Sequence, residues 1–144
     1  MMTDAYDLER FVAAQDASGT YTRAVEELRR GRKTSHWMWF VFPQIAGLGM
    51  SEMSRRYAIA SLAEAQAYLR HPVLGPRLIE CAGLVAAARA SSAEQIFGGI
   101  DTQKLCSSMT LFLRAEADQL VFQHVLDRYF GGQPDAATDR LLER

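Results

Sequence analysis

The chain has 144 residues, 49% of them hydrophobic and 23% charged, which is the size and composition of one globular domain rather than of a disordered segment. Its 16 basic and 17 acidic side chains leave a formal charge of −1, so no global field draws it to nucleic acid or to an acidic membrane. No apolar run reaches the ~20 residues of a bilayer span, and the polar stretch Met-Met-Thr-Asp-Ala-Tyr-Asp has no apolar signal region, so a cytoplasmic protein is expected.

Residues 4–16 read as a first helix with Thr3 as its N-cap; Leu8, Phe11, Val12 and Gln15 form one stripe. Gln15 is the polar member of that stripe, placed at a core edge or toward a ligand. After Ser18-Gly19 a second helix spans residues 21–30, with Tyr21, Ala24, Val25 and Leu28 inward and Gly31 at a left-handed cap. Arg29 and Arg30 suit the negative end of that helix. Next comes Gly31-Arg-Lys-Thr-Ser-His-Trp-Met-Trp-Phe-Val-Phe-Pro-Gln44, holding both tryptophans beside Arg32, Lys33 and His36. Polar chemistry packed into so apolar a segment suits the wall of a pocket.

Gly47 and Gly49 resemble a dinucleotide-binding fingerprint, but the third glycine and the βαβ context are missing. Residues 51–57 read as a turn or short helix and 57–59 as briefly extended. Ser61-Leu-Ala-Glu64 is a capping box opening a helix to about Arg70. His71-Pro72 ends it, and Pro72 is expected in the first turn of the next helix, which runs to about Arg89. Ser91-Ser92 with Glu94-Gln95 caps a short helix stopping at Gly98-Gly99. Asp101 is expected to cap the next, Asp118 a further one, and Asp135 a C-terminal segment. Strand-like alternation is nearly absent. The expected fold is all-α, seven to eight short helices in an irregular orthogonal packing, as a single domain over residues 1–144.

Two constellations carry chemistry. Arg29, Arg30, Arg32 and Lys33 have the side chains that hold phosphates or carboxylates, and the His36 imidazole is a candidate general acid or base. Trp39, with Trp37 and Phe40, could stack on a ring or anchor the core. In Asp101-Thr-Gln-Lys-Leu-Cys-Ser-Ser108, Asp101 and Lys104 lie one turn apart at a helix start, a plausible anion site. Ser107 and Ser108 sit in mid-helix, where serine is a mediocre former, and either allow close packing or face a cavity. Neither a GxSxG nor an SxxK spacing accompanies them. Cys81 and Cys106 fit no CxxC or zinc pattern and read as reduced core thiols; His36, His71 and His124 lack ligand spacing, so no metal or cofactor is expected.

The segments Asp7-Leu-Glu-Arg-Phe-Val-Ala-Ala-Gln15, Gly31 to Gln44, Gly47-Leu-Gly49, Tyr57-Ala-Ile59, His71-Pro-Val-Leu-Gly75 and Asp101 to Phe112 together resemble a bacterial family catalogued as domain of unknown function 1810. The resemblance implies a small, mainly helical domain and supplies no catalytic residues.

The sequence therefore states a fold and a site but no reaction. The expected site joins the Arg32–Gln44 segment to the Asp101–Ser108 helix start and takes an anionic small molecule, nucleotide-like or a phosphorylated riboside, which it binds or hydrolyses. His36 and Asp101 are the candidate acid/base pair; Arg32, Lys33, Trp39, Gln44, Lys104, Ser107 and Ser108 are the candidate ligand contacts. The alternative is a protein-interaction or regulatory module without catalysis. Nucleic-acid binding through a basic face is the weakest of the three, and no membrane partner is expected.

Overall fold

The computed structural model describes residues 4–143. In chain order its helices are α1 (Glu9–Asp16), followed by a 3-10 turn at Ala17–Gly19, then α2 (Thr20–Arg30), α3 (Met38–Val41), α4 (Glu52–Arg56), α5 (Leu62–Arg70), α6 (Leu74–Ala87), α7 (Ala93–Ala115), α8 (Val121–Tyr129) and α9 (Ala136–Leu142). Among the described residues extended pairing is confined to one parallel bridge between Ile45 and Ile59, and the fold is all-α as expected. Helices α5, α6, α7 and α8 pack on one another; α2 lies against α6, α1 against α2 and α3, and α9 against α7.

Short helices do not hold themselves together in water, so the fold rests on packing of their apolar faces. One core runs from Leu8 to Leu126 and contains Trp37, Phe42, Phe97, Tyr68, Phe112 and Phe122. Trp37, Phe42 and Phe97 meet with ring centroids 6.2–6.4 Å apart. Gln15, fully inside, is satisfied: its amide donates to the Phe40 carbonyl (2.8 Å) and to the Tyr68 hydroxyl (3.3 Å), and Arg77 donates to its oxygen. That makes it a core glutamine. Arg10 is a second polar fastener, donating to the carbonyls of Tyr6, Asp7, Arg56 and Ala58 and to Glu64.

Local capping explains most helix starts. Ser61 accepts from the Glu64 amide and Ser92 from the Gln95 amide, while Glu64 and Gln95 reach back to the amides of Ala60 and Ser91. Asp135 accepts from Thr138 N and opens α9. Four expected starts move. The first helix begins at Glu9, not at residue 4, because Asp4 ties up the amides of Leu8 and Glu9 from outside the helix; Thr3 lies outside the described residues. Helix α6 begins at Leu74, two residues after Pro72, with His71 Nδ1 accepting from the amides of Val73 and Leu74. Helix α8 begins at Val121, whose amide donates to Gln119 Oε1, so Asp118 is not its cap.

The fourth concerns α7. The expected stop at Gly98-Gly99 is a break inside one 23-residue element, with Gly98 at φ 75, ψ 177, a conformation open essentially to glycine alone. The Gly98 carbonyl accepts from Thr102 Oγ1, so the helix resumes at once, and Asp101 falls within its first turn rather than at the cap.

Candidate functional site

The segment after α2 is shaped by a residue that periodicity passes over. Gly31 takes the left-handed cap (φ 76), and the amides of Gly31 and Arg32 close the helix on the carbonyls of Leu28 and Glu27. The Glu27 side chain, 1% exposed, then receives the amides of Thr34 (2.8 Å) and Ser35 (3.1 Å), the Ser35 hydroxyl (2.5 Å) and the Trp37 indole N–H (2.9 Å). Burial by itself would raise its pKa; the four donated hydrogen bonds prevail and hold it down at about 2. A buried carboxylate thus folds residues 34–37 around itself.

With that loop fixed, Lys33 reaches α7 twice. Its amide donates to the Ile96 carbonyl (2.7 Å), just before the Gly98 break, and its ammonium stands 2.8 Å from Asp101 Oδ2, just after it. Its side chain is only 8% exposed and also lies over the Trp37 ring at 5.1 Å. Lys104 approaches the other oxygen of Asp101 at 3.9 Å and covers the Trp39 ring at 5.2 Å. The two segments therefore do meet, through Lys33–Asp101–Lys104, a trio with one positive charge in excess.

Beside that trio is an open cleft of about 380 Å³, with Gln44, Leu48, Gln103, Lys104, Ser107 and Asp135 on its walls and Ile100 at its edge. Gln44 is held there because its carbonyl accepts from Ile59 N and the next residue pairs with Ile59. Asp135 Oδ2 accepts from the amide and hydroxyl of Thr138 and lies 3.2 Å from Ser107 Oγ; Oδ1 accepts from Gln103. Ser107 Oγ is equally close to the Gln103 carbonyl.

Of the residues singled out in the sequence, Gln44, Lys104 and Ser107 line this cleft, and Lys33 and Asp101 pair behind it. Trp39 is partly buried under Lys104, and Ser108 is wholly buried; Trp39 Nε1 and Ser108 Oγ both lack a partner among the described residues. Arg32 is exposed and lines a separate groove with Glu94 and Gln95. His36 is exposed, has no hydrogen-bond or ion-pair partner among the described residues, and does not line the cleft. Glu27 and Asp135 were not anticipated. Glu27 falls between apolar stripe positions, although four donors on the next ten residues converge on it. Asp135 was read as a cap, which it is, but the same carboxylate also faces Ser107 across 28 residues.

Among the described residues no group of three or more His, Cys, Asp or Glu side chains could hold a metal, and no helix is long and apolar enough to cross a membrane. Cys81 and Cys106 are free and buried, and burial raises their pKa values to about 12 and about 11.

Comparison with known proteins gives one family and one structure. The family model described as "Protein of unknown function (DUF1810)" matches residues 5–142. The chain is similar to the crystal structure of the conserved hypothetical protein Rv1873 from Mycobacterium tuberculosis, at 55% identity over 98% of this chain and 99% of that one, with a TM-score of 0.94. A search of curated proteins finds no match.

Proposed function

The chain belongs to the DUF1810 family of proteins of unknown function, so no inherited activity guides the reading, and we propose from the cleft itself that it binds an anionic, hydroxyl-bearing small molecule of the phosphorylated-riboside class. The observation that carries this is the wall composition. Lys104 brings an ammonium for a phosphate, Gln44, Gln103 and Ser107 bring neutral donors and acceptors for hydroxyl groups, and Leu48 and Ile100 bring apolar surface for a flat ring. Lys104 is preset: Asp101 and the Trp39 face hold its ammonium in place, so little side-chain entropy is lost on contact. Asp135 Oδ1, with a single donor, keeps a lone pair for a ligand hydroxyl.

The proposal is binding and contains no hydrolytic step. The expected acid/base pair does not share this cleft: His36 is exposed elsewhere, and Asp101 is neutralised between two lysines. Isothermal titration with ribose 5-phosphate, a nucleoside monophosphate and ADP-ribose tests the reading. At least one should bind, and Lys104→Gln should weaken it about tenfold or more, the worth of one charge-assisted hydrogen bond. The reading fails if none of the three binds at millimolar concentration, or if Lys104→Gln leaves the affinity unchanged.

A further inference from the structure

A second basic surface adjoins Lys33. Two grooves, about 620 and 510 Å³, run side by side along the end of α2, the first against the start of α7 and the second against the end of α6, sharing Arg30, Gly31 and Gln95. Arg32 lines the first; Arg29 and Arg89 line the second. All four arginines are exposed, and none of their side chains makes an ion pair or hydrogen bond with the described residues.

Helix ends alone do not account for them. In the last turn of α2 the carbonyls of Leu28 and Glu27 are already met by the Gly31 and Arg32 amides. In the last turn of α6 the Ala86 carbonyl accepts from Arg128, which also donates to Ala90 beyond the helix, and the Val85 carbonyl accepts from the Tyr129 hydroxyl. The charge count points the same way. The C-terminal ends of α2 and α6 each contribute roughly half a negative charge and the N-terminal end of α7 roughly half a positive one. Glu94 is the one carboxylate on either groove wall, and Lys33 is spent on Asp101. Four guanidinium groups therefore leave an excess of about two and a half positive charges in a chain whose net charge is −1.

We propose that this paired groove binds a run of linked phosphate groups, recognised by guanidinium forks and not by base identity. Arginine matches phosphate bidentately. The only aromatic residue on either wall is Phe97, which is buried, so there is no platform on which nucleobases could stack. A free oligophosphate and the backbone of a single-stranded nucleic acid both present this chemistry.

The test uses the full chain and two probes: tripolyphosphate by isothermal titration and a fluorescent ten-nucleotide thymidine oligomer by anisotropy, both at low salt. Binding of either probe is expected, weakened about tenfold or more in the Arg30→Ala/Arg89→Ala double variant and unchanged in Lys104→Gln. Binding of the oligomer should also fall steeply with salt, by roughly 0.7 logarithmic units per decade for each phosphate contacted. Tripolyphosphate alone binding identifies the free ligand, and oligomer alone binding identifies the strand. All four arginines are exposed, so loss of folding does not confound the variant. The proposal is overturned if neither probe binds, if the double variant binds both as tightly as the parent, or if Lys104→Gln abolishes binding while the arginine variant retains it. The last result would assign the phosphates to the cleft, and the riboside titrations with Lys104→Gln read that cleft separately.

Discussion

Replacing Glu27 by Gln keeps the shape of the side chain and removes its charge. The amide oxygen can still accept from Thr34 N, Ser35 N and Trp37 Nε1, which all converge on Oε1, while the new NH2 faces Ser35 Oγ, which can turn to accept. What disappears is charge assistance. A shift from the ordinary 4.5 to about 2 corresponds to about 3 kcal/mol favouring the ionised form in the folded protein. Because the folded pKa is depressed, this stability is fully present above the unfolded value and drains away as pH falls from about 4.5 toward 2. Urea unfolding followed by tryptophan fluorescence should therefore show Glu27→Gln destabilised by about 3 kcal/mol at pH 7, on the order of 10 °C in Tm for a chain of this length. The deficit should shrink as the pH is lowered through that window. A variant as stable as the parent at pH 7, or a deficit that does not change with pH, would refute the account of residues 34–37 as a loop folded around a carboxylate.

Other consequences are as specific. Lys33→Met leaves Asp101 without its close partner and should cost about 3 kcal/mol, the low end for a buried pair, since Asp101 is 20% exposed; the Lys33→Met/Asp101→Asn double variant should recover part of it in a double-mutant cycle. A Cβ at Gly75 would stand 2.1 Å from the Leu69 carbonyl oxygen, so Gly75→Ala should cost at least about 3 kcal/mol by thermal unfolding, beyond the ordinary overpacking penalty. Cys81 and Cys106, buried with raised pKa values, should resist a thiol reagent at pH 8 in the native state and react in denaturant; prompt native labelling of both would contradict their burial.

The features legible in the sequence are those whose causes lie within a few residues. Ser61, Ser92, Asp135 and Gly31 announce helix ends because a cap is satisfied by amides two or three positions away. The core stripes are readable for the same reason. Three of the four displaced starts involve a partner just outside the expected pattern: Asp4 capping from four residues back, His71 taking over from Pro72, Gln119 in place of Asp118. Whether the Arg32–Gln44 segment meets the Asp101–Ser108 stretch is not legible in the sequence; in the structure Lys33 of the first pairs with Asp101 of the second. Which members would share a cavity was not legible. Arg32 and Lys33 border the same groove, yet Arg32 stays exposed there while the Lys33 ammonium turns inward onto Asp101, beside a chain path from Thr34 to Trp37 that the Glu27 carboxylate sets. Asp135 enters the cleft from a helix start 28 residues beyond Ser107, a separation no local pattern encodes.

The Arg10 fastener also bears on the order in which the chain folds. Its bonds to Arg56, Ala58 and Glu64 close loops of 46, 48 and 54 residues, whereas α5 with α6 and α7 with α8 pack as consecutive helices. Long closures cost more chain entropy before their contacts form, so the consecutive pairs α5–α6 and α7–α8 are the natural first units and the α1 region docks late. Removing the guanidinium, as in Arg10→Met, should then leave the folding rate nearly unchanged and put its cost into faster unfolding. A motif lodged near one end of the chain would thus govern how long the native state lasts rather than how quickly it forms.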